Sequence, residues 1–383
     1  MGLGQIIVEP DILITDYIAV GGLGAAFFNA GILMLLSVII LYLLKKELGG
    51  ISISAVFLMG SFGLFGKNIV NVWPLIFGVY LYAKLRREKF SDYIYAAFFS
   101  TSIAPIVSEI LFITDLKLWF KLPLCIVVGT SIGFLVPIVS NHLFHVHEGF
   151  SLYNTGFSVG IIGTVYVSLL KTHGYAADSR LVWSTDHQLT LAIFLILIFV
   201  TMLLIGFFLN GKSFSLRQIT SHSGRLNTNF IAMNGFPPVL INMALNGFLS
   251  MTYVLLVGGP LNGPTIGGIL TIVGFGGFGK HIKNITPIFI GVYLGSLINM
   301  WDLDSPSTLL VALFGTSLSP IAGHYGWIYG ILASIINSAV VLNLSILHGG
   351  MNLYNTGFSS GIVAAFLIPI LNNFVQKKAV DIT

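Results

Sequence analysis

Charge is what this sequence lacks. Of 383 residues, 14 are acidic and 18 are basic, so charged side chains make up only 8% of the chain, against about a quarter in soluble domains. That is too little to keep two or three domains in water, and a soluble multidomain protein is excluded. Cysteine is scarcer still. Cys125, in the apolar run 122–135, stands alone, which rules out an intramolecular disulfide and a cysteine metal site. The net charge of +4 is too small to suggest a nucleic-acid partner. The first seventeen residues carry Glu9, Asp11 and Asp16 where a secretion signal would carry Lys or Arg, so this segment is expected to be retained, with the first span as an uncleaved anchor.

What remains is apolar. Hydrophobic residues reach 55% and mean hydropathy is +0.92, and 189–208 holds no charge at all. The composition defines an all-α, polytopic membrane protein.

Internal repetition sets the architecture. Phe65-Gly66-Lys67, Asn71, Pro74 and Gly78-Val79-Tyr80-Leu81 recur as Phe278-Gly279-Lys280, Asn284, Pro287 and Gly291-Val292-Tyr293-Leu294, an offset of 213. Thr101-Ser102 and Pro105-Ile106 recur as Thr316-Ser317 and Pro320-Ile321, an offset of 215. Leu152-Tyr153-Asn154-Thr155-Gly156-Phe157-Ser158, with Gly160, recurs as Leu353-Tyr354-Asn355-Thr356-Gly357-Phe358-Ser359, with Gly361, an offset of 201. Three motifs in one order make the chain a duplication. The expected division is an extracytoplasmic segment 1–17, membrane repeat 18–171, a linking transmembrane helix 189–210, a cytoplasmic linker 211–229, membrane repeat 230–372 and a cytoplasmic tail 373–383.

Each copy reads as six apolar segments: 18–44, 51–66, 68–83, 91–113, 122–140 and 153–170, then 237–258, 264–278, 285–299, 307–322, 325–347 and 355–371. Six return the chain to its starting side, so the extra helix between the copies inverts the second. Lys and Arg, which concentrate in cytoplasmic loops, support this. With the N-terminus outside, the inner loops hold Lys45, Lys46, Lys84, Arg86, Arg87, Lys89, Lys212, Arg217, Arg225, Lys280, Lys283, Lys377 and Lys378. The outer loops hold only Lys67, Lys117, Lys121, Lys171 and Arg180. Acidic residues such as Asp115 and Asp178 lean outward. The protein is therefore expected in the cell membrane with its C-terminus cytoplasmic. The segments 51–66, 68–83, 264–278 and 285–299 are shorter than the roughly 20 residues of a full crossing, so each pair reads as a broken or re-entrant hairpin.

Short, Gly/Pro-interrupted segments at matching places in two halves mark a transport site, because broken helices leave polar backbone that only protein or a wet cavity can satisfy. The Asn-Thr-Gly trios are the sharpest candidates: Asn154, Thr155 and Ser158, with Asn355, Thr356 and Ser359, each preceded by a histidine, His147 or His348. Ser158 and Ser359 are suited to cap a helix starting there. The plainer alternative is a tight turn with small residues for helix packing. In Thr-Ser-x-x-Pro, proline frees the carbonyl four residues back, so Thr101 and Thr316 join a carbonyl and a hydroxyl at a kink, with Ser102 and Ser317 beside them. Glu109 aligns with His324 four residues after each proline, and titratable groups inside spans are expensive and usually functional. Asn71 and Asn284 complete the candidate lining. Lys67 and Lys280 are expected to snorkel to the interface.

The paired motifs resemble a family of duplicated bacterial membrane proteins carrying a domain-of-unknown-function label, over nearly the whole chain. Leu152-Tyr153-Asn154 and Leu353-Tyr354-Asn355 are also similar to the Gly-Leu-Tyr-Gly-Tyr-Asn stretch of urea transporters, without the glycine before asparagine. That resemblance implies inverted repeats around a small-solute pore.

The reading that follows is a channel or secondary transporter for a small polar solute, without cofactor or metal. Its expected partners are membrane lipid and the solute, and the pattern is compatible with a homo-oligomer. Two alternatives remain. A membrane-embedded enzyme acting on lipid would use His142, His145, His147 and Glu148 for acid/base chemistry at one face. A structural or assembly protein would leave no cavity between the duplicated polar residues.

Overall fold

Long runs without charge or proline become helices because a helix alone satisfies its own backbone in lipid. In the computed structural model, which describes residues 1–113, 116–174, 180–298 and 301–375, these runs form helices throughout. Asp115, Asp178, Lys377 and Lys378, and most of the tail 373–383, lie outside the described residues. The first copy comprises α1 (Gly2–Val8), α2 (Tyr17–Leu43), α3 (Gly50–Phe62), α4 (Trp73–Arg86), α5 (Ile94–Ser100), α6 (Pro105–Ser108), α7 (Leu118–His147) and α8 (Asn154–Thr172). After α9 (Gln188–Leu209) come α10 (Phe230–Asn234), α11 (Phe236–Leu256), α12 (Gly263–Phe275), α13 (Ile282–Leu297), α14 (Pro306–Gly315), α15 (Ser319–Tyr325), α16 (Trp327–Leu344) and α17 (Asn355–Phe374). Among the described residues, eight helices are long and apolar enough to cross a membrane. A ninth span is counted if the pair Phe90–Ile103 and Pro105–Phe112, bent by 52°, is one. Exposed Leu189, Ile193, Leu197, Leu204 and Phe208 line α9, a surface tolerable only against lipid.

The short helices confirm the broken hairpins. At about 1.5 Å per residue, α3 and α12, of 13 residues each, reach about 20 Å, less than the roughly 30 Å of a hydrocarbon core. Their freed carbonyls are claimed by side chains from a neighbouring helix. Asn29 Nδ2 donates to Gly63 O and Lys67 O, both at 2.7 Å, and Asn242 Nδ2 donates to Gly276 O at 2.9 Å and Lys280 O at 2.8 Å.

The same two helices give the repeats' relative direction. Gly50 faces Gly277, Ser54 Oγ donates to Gly274 O at 2.9 Å, Gly267 packs on Ser61 and Phe65, and Gly263 on Leu64. As numbers rise along α3 they fall along α12, so equivalent helices run antiparallel and the copies are inverted. Reciprocal hydrogen bonds tie the halves across this pseudo-twofold axis. Leu152 N donates to Ser317 O at 3.0 Å and Leu353 N to Ser102 O at 2.9 Å.

The correspondence also runs upstream of the apolar segments. Leu13 N donates to Gly350 O at 2.9 Å while Leu226 N donates to Gly149 O at 3.0 Å. Asp16 Oδ1 accepts from Gly263 N at 3.1 Å, and Asn229 Oδ1 from Gly50 N at 3.2 Å, each capping the short helix of the opposite repeat. Gly22 (φ 81°) kinks α2 where Gly235 (φ 80°) separates α10 from α11, a conformation open to glycine at little cost. Residues 11–22 and 224–235 are thus the same piece of structure.

One element has no twin. Asp11, opposite Gly224 in this alignment, is fully buried and accepts hydrogen bonds from Tyr17, Asn68, Asn71 and Ser108. Burial pushes its carboxyl up to about 8, although the bonds from Ser108, Tyr17 and Asn71 favour the charged form. A folded pKa above the unfolded value near 4 adds stability that is complete below about pH 4 and lost as pH rises through 8. The melting temperature of the detergent-solubilised protein should therefore fall over that window, and Asp11→Asn should flatten the fall. An equal slope in both proteins would refute this account.

Candidate functional site

Helices α8 and α17 start where their motifs predict, and their first turns meet on the pseudo-twofold axis. The approach is close because each helix carries glycine where the other carries phenylalanine. A methyl on Gly160 would lie 2.2 Å from the Phe358 ring, and one on Gly361 would lie 2.1 Å from the Phe157 ring. Immediately before each helix, Tyr153 and Tyr354 place their rings against one another, 4.6 Å between centroids. Phe62 closes on Tyr354 at 4.8 Å, Phe275 on Tyr153 at 4.9 Å, and Phe314 lies 6.2 Å from Tyr354.

Two cavities flank this aromatic plug. The first, about 220 Å³, is lined by Leu13, Phe314, Val341, Leu353, Asn355 and Thr356. The second, about 270 Å³, is lined by the equivalents Leu226, Phe99, Ser140, Leu152, Asn154 and Thr155. They are one vestibule seen twice. Because the repeats are inverted, the first lies toward Arg180 and Pro306, while the second lies toward Ile51 and Tyr95. Tyr153 and Tyr354 line the second, whereas Phe314, 6.2 Å from Tyr354, lines the first, so the wall between the cavities includes Phe314 as well as the ring pair.

The asparagines are held rather than loose. His147 Nε2 meets Asn154 Oδ1 at 2.9 Å, and His348 Nε2 meets Asn355 Oδ1 at 2.9 Å. Asn154 Nδ2 donates to Ser140 O at 2.9 Å and Asn355 Nδ2 to Val341 O at 3.5 Å. Each histidine thus orients an asparagine at a vestibule wall. Ser158 and Ser359 lie deeper. Helix α8 already begins at Asn154, so Ser158 Oγ donates to Asn154 O at 3.0 Å inside the helix and does not cap it, and Ser359 donates to Asn337 Oδ1 at 2.7 Å.

The Thr-Ser pairs sit behind the plug, buried. The carbonyls that proline was expected to free are retaken by tight turns: Ala104 N donates to Thr101 O at 3.0 Å, and Ser319 N donates to Thr316 O. Their hydroxyls differ. Thr101 Oγ1 lies 3.3 Å from Met59 Sδ, whereas Thr316 Oγ1 accepts from Lys280 Nζ at 2.7 Å. Asn71 and Asn284 lie apart from the vestibules and staple the hairpin turns, donating to Gly66 O at 3.0 Å and Gly279 O at 2.8 Å. Glu109 is buried at the start of a π-helical turn, and His324 packs on Phe150 at 5.3 Å and Tyr325 at 4.6 Å.

The expectation for the lysines was wrong. Lys67 and Lys280 do not reach an interface: both are completely buried. Removing them from the loop counts leaves the charge asymmetry intact. Lys280 Nζ donates to Tyr153 Oη at 2.6 Å as well as to Thr316, and lies 4.6 Å and 5.1 Å from the centroids of Tyr153 and Phe275.

Fold and site together define a multi-pass membrane protein of two inverted repeats with twin vestibules about a closed centre. The chain belongs to the family described as "Protein of unknown function (DUF1576)", whose model matches residues 1–172 and 196–373, the two repeats in turn. Neither the curated proteins nor the solved structures searched gave a match.

Proposed function

We propose that the protein is a channel or secondary transporter that moves a small polar solute across the cell membrane, passing from one vestibule to the other where Tyr153 and Tyr354 now meet. The observation that carries this reading is the twin vestibule. An active site has no reason to occur twice, whereas a path open alternately or jointly to two faces does, and inverted repeats with broken helices are how such paths are built. The cavities, of about 220 and 270 Å³, fall short of the roughly 300–1,000 Å³ of drug-sized sites and suit a solute of a few heavy atoms. Excess Lys and Arg near the second vestibule, including Lys45, Lys46, Arg86 and Arg87, support placing it on the cytoplasmic side, with the N-terminus outside.

Purified protein in liposomes tests this with urea, ammonium, short organic anions and sugars as solutes. At least one should cross faster than through empty vesicles, and Asn154→Ala with Asn355→Ala should slow it about tenfold, the loss of roughly 1.4 kcal/mol of stabilisation on the path. No flux of any of them would sink the reading.

A further inference from the structure

The centre holds two buried lysine amino groups, neither of them paired with a carboxylate among the described residues. Lys67 and Lys280 occupy equivalent places after Phe-Gly, both entirely out of water, and neither forms an ion pair among the described residues. Burying an unpaired charge is so costly that chains keep such a group chiefly where a function needs it. The buried aspartates are committed elsewhere: Asp11 to Tyr17, Asn68, Asn71 and Ser108, and Asp16 to Ile18 N, Ser184 and Gly263 N.

The two copies are not in the same condition. Lys280 has two oxygen acceptors in Tyr153 and Thr316. The matching set of Lys67, Tyr354 and Thr101 is open. Lys67 Nζ reaches only Met59 Sδ, at 3.7 Å, and the Phe62 ring, at 5.0 Å. The Tyr354 hydroxyl, in a residue 1% exposed, has no hydrogen-bond partner. A protonated lysine brings three donors, none of which Lys67 spends on an oxygen, and Tyr354 packs on the same Phe62 ring that Lys67 Nζ faces. Met59 stands where the other copy has Ile272 and is the side chain within hydrogen-bonding reach of Lys67 Nζ, while the Thr101 hydroxyl donates to Phe98 O at 2.6 Å as that of Thr316 does to Leu313 O at 2.5 Å. The first turns of α8 and α17 add to the same sign. Neither has a side-chain cap, and both direct the positive ends of long helices toward the plug.

We propose that the solute is a small anion, and that Lys67, with the Tyr354 hydroxyl, is its open binding station, Lys280 with Tyr153 and Thr316 being the matching station of the other repeat. This rests on the transport reading above and gives it a substrate class. The anion supplies the charge and acceptors that Lys67 lacks, and a neutral or cationic solute supplies neither charge.

The test uses the full chain, in detergent and in liposomes, with chloride, formate and acetate as probes against urea and glycerol. At least one anion should raise the melting temperature and cross about tenfold faster than the neutral solutes, the factor of 1.4 kcal/mol in selectivity. Lys67→Met should remove both effects. Tyr354→Phe should leave the anion-free melting temperature unchanged and weaken the anion-dependent rise, which a merely structural tyrosine would not do. Should Lys67→Met not fold, Tyr354→Phe and the wild-type selectivity still decide. Flux of urea or glycerol with no anion preference would overturn the anion assignment while leaving transport standing. No flux and no anion-dependent melting would overturn both.

Discussion

A cysteine at Thr155 should react with a membrane-impermeant maleimide added from one face of oriented vesicles, and a cysteine at Ser345 only with reagent added from the other. Both residues line vestibules, Thr155 the second and Ser345 the first, and both are half-buried, small and polar, so the substitutions disturb little. The sole native cysteine, Cys125, is 2% exposed within α7 and supplies almost no background. The expected contrast is close to all-or-none, because the plug of Tyr153, Tyr354 and their phenylalanine neighbours bars reagent from passing between the cavities. Labelling of both positions from the same face would show that the vestibules share one entrance, and the path proposed here would be lost. This test reads topology from within the site, independently of the loop charges and of Lys377 and Lys378.

Much of this arrangement was legible because duplication writes each structural requirement twice. Phe-Gly-Lys, Thr-Ser-x-x-Pro and Leu-Tyr-Asn-Thr-Gly-Phe-Ser recur at close offsets, and helix boundaries follow from apolar runs that end in charge or glycine. The upstream pairing was equally present in the letters: Leu13, Thr15, Ile18, Ala19 and Gly22 match Leu226, Thr228, Ile231, Ala232 and Gly235 at the same offset of 213. It hid because one copy looks like a chain terminus and the other like a polar linker. Asn29 and Asn242 were missed for a different reason. A lone asparagine in an apolar helix carries no pattern of its own, and its role appears only when the neighbouring hairpin offers two unpaired carbonyls. The lysines misled because local sequence cannot distinguish a segment end at the membrane surface from a hairpin tip folded into the protein centre. Lys67 and Lys280 follow glycines with φ of 93° and 94°, turns that send the lysine inward.

Replacing both Tyr153 and Tyr354 by alanine should convert the closed centre into a leak. The ring pair, 4.6 Å apart, backs the second cavity against Phe314 of the first, so deleting both rings removes two members of the aromatic wall between them. Interior packing leaves few voids larger than water, and the space left by two aromatic side chains next to Asn154, Thr155, Asn355 and Thr356 offers water hydrogen-bond partners. Passive flux of a small neutral solute such as urea should rise by at least about tenfold, which requires only some 1.4 kcal/mol off the barrier. The double variant loses stability as well, because truncating a buried aromatic costs about 3–5 kcal/mol, so its melting temperature must be shown to exceed that of the assay. Single phenylalanine substitutions separate the contributions of ring and hydroxyl. Tyr153→Phe keeps the ring but takes away one of the two oxygen acceptors of buried Lys280, leaving Thr316 alone, and should destabilise without leaking. Tyr354→Phe removes a hydroxyl that has no partner and should do neither. A folded double alanine variant as tight as the wild type would mean that the barrier lies elsewhere, in the packing of Gly160 on Phe358 and Gly361 on Phe157, and that the aromatic pair is a strut between repeats and not the gate between vestibules.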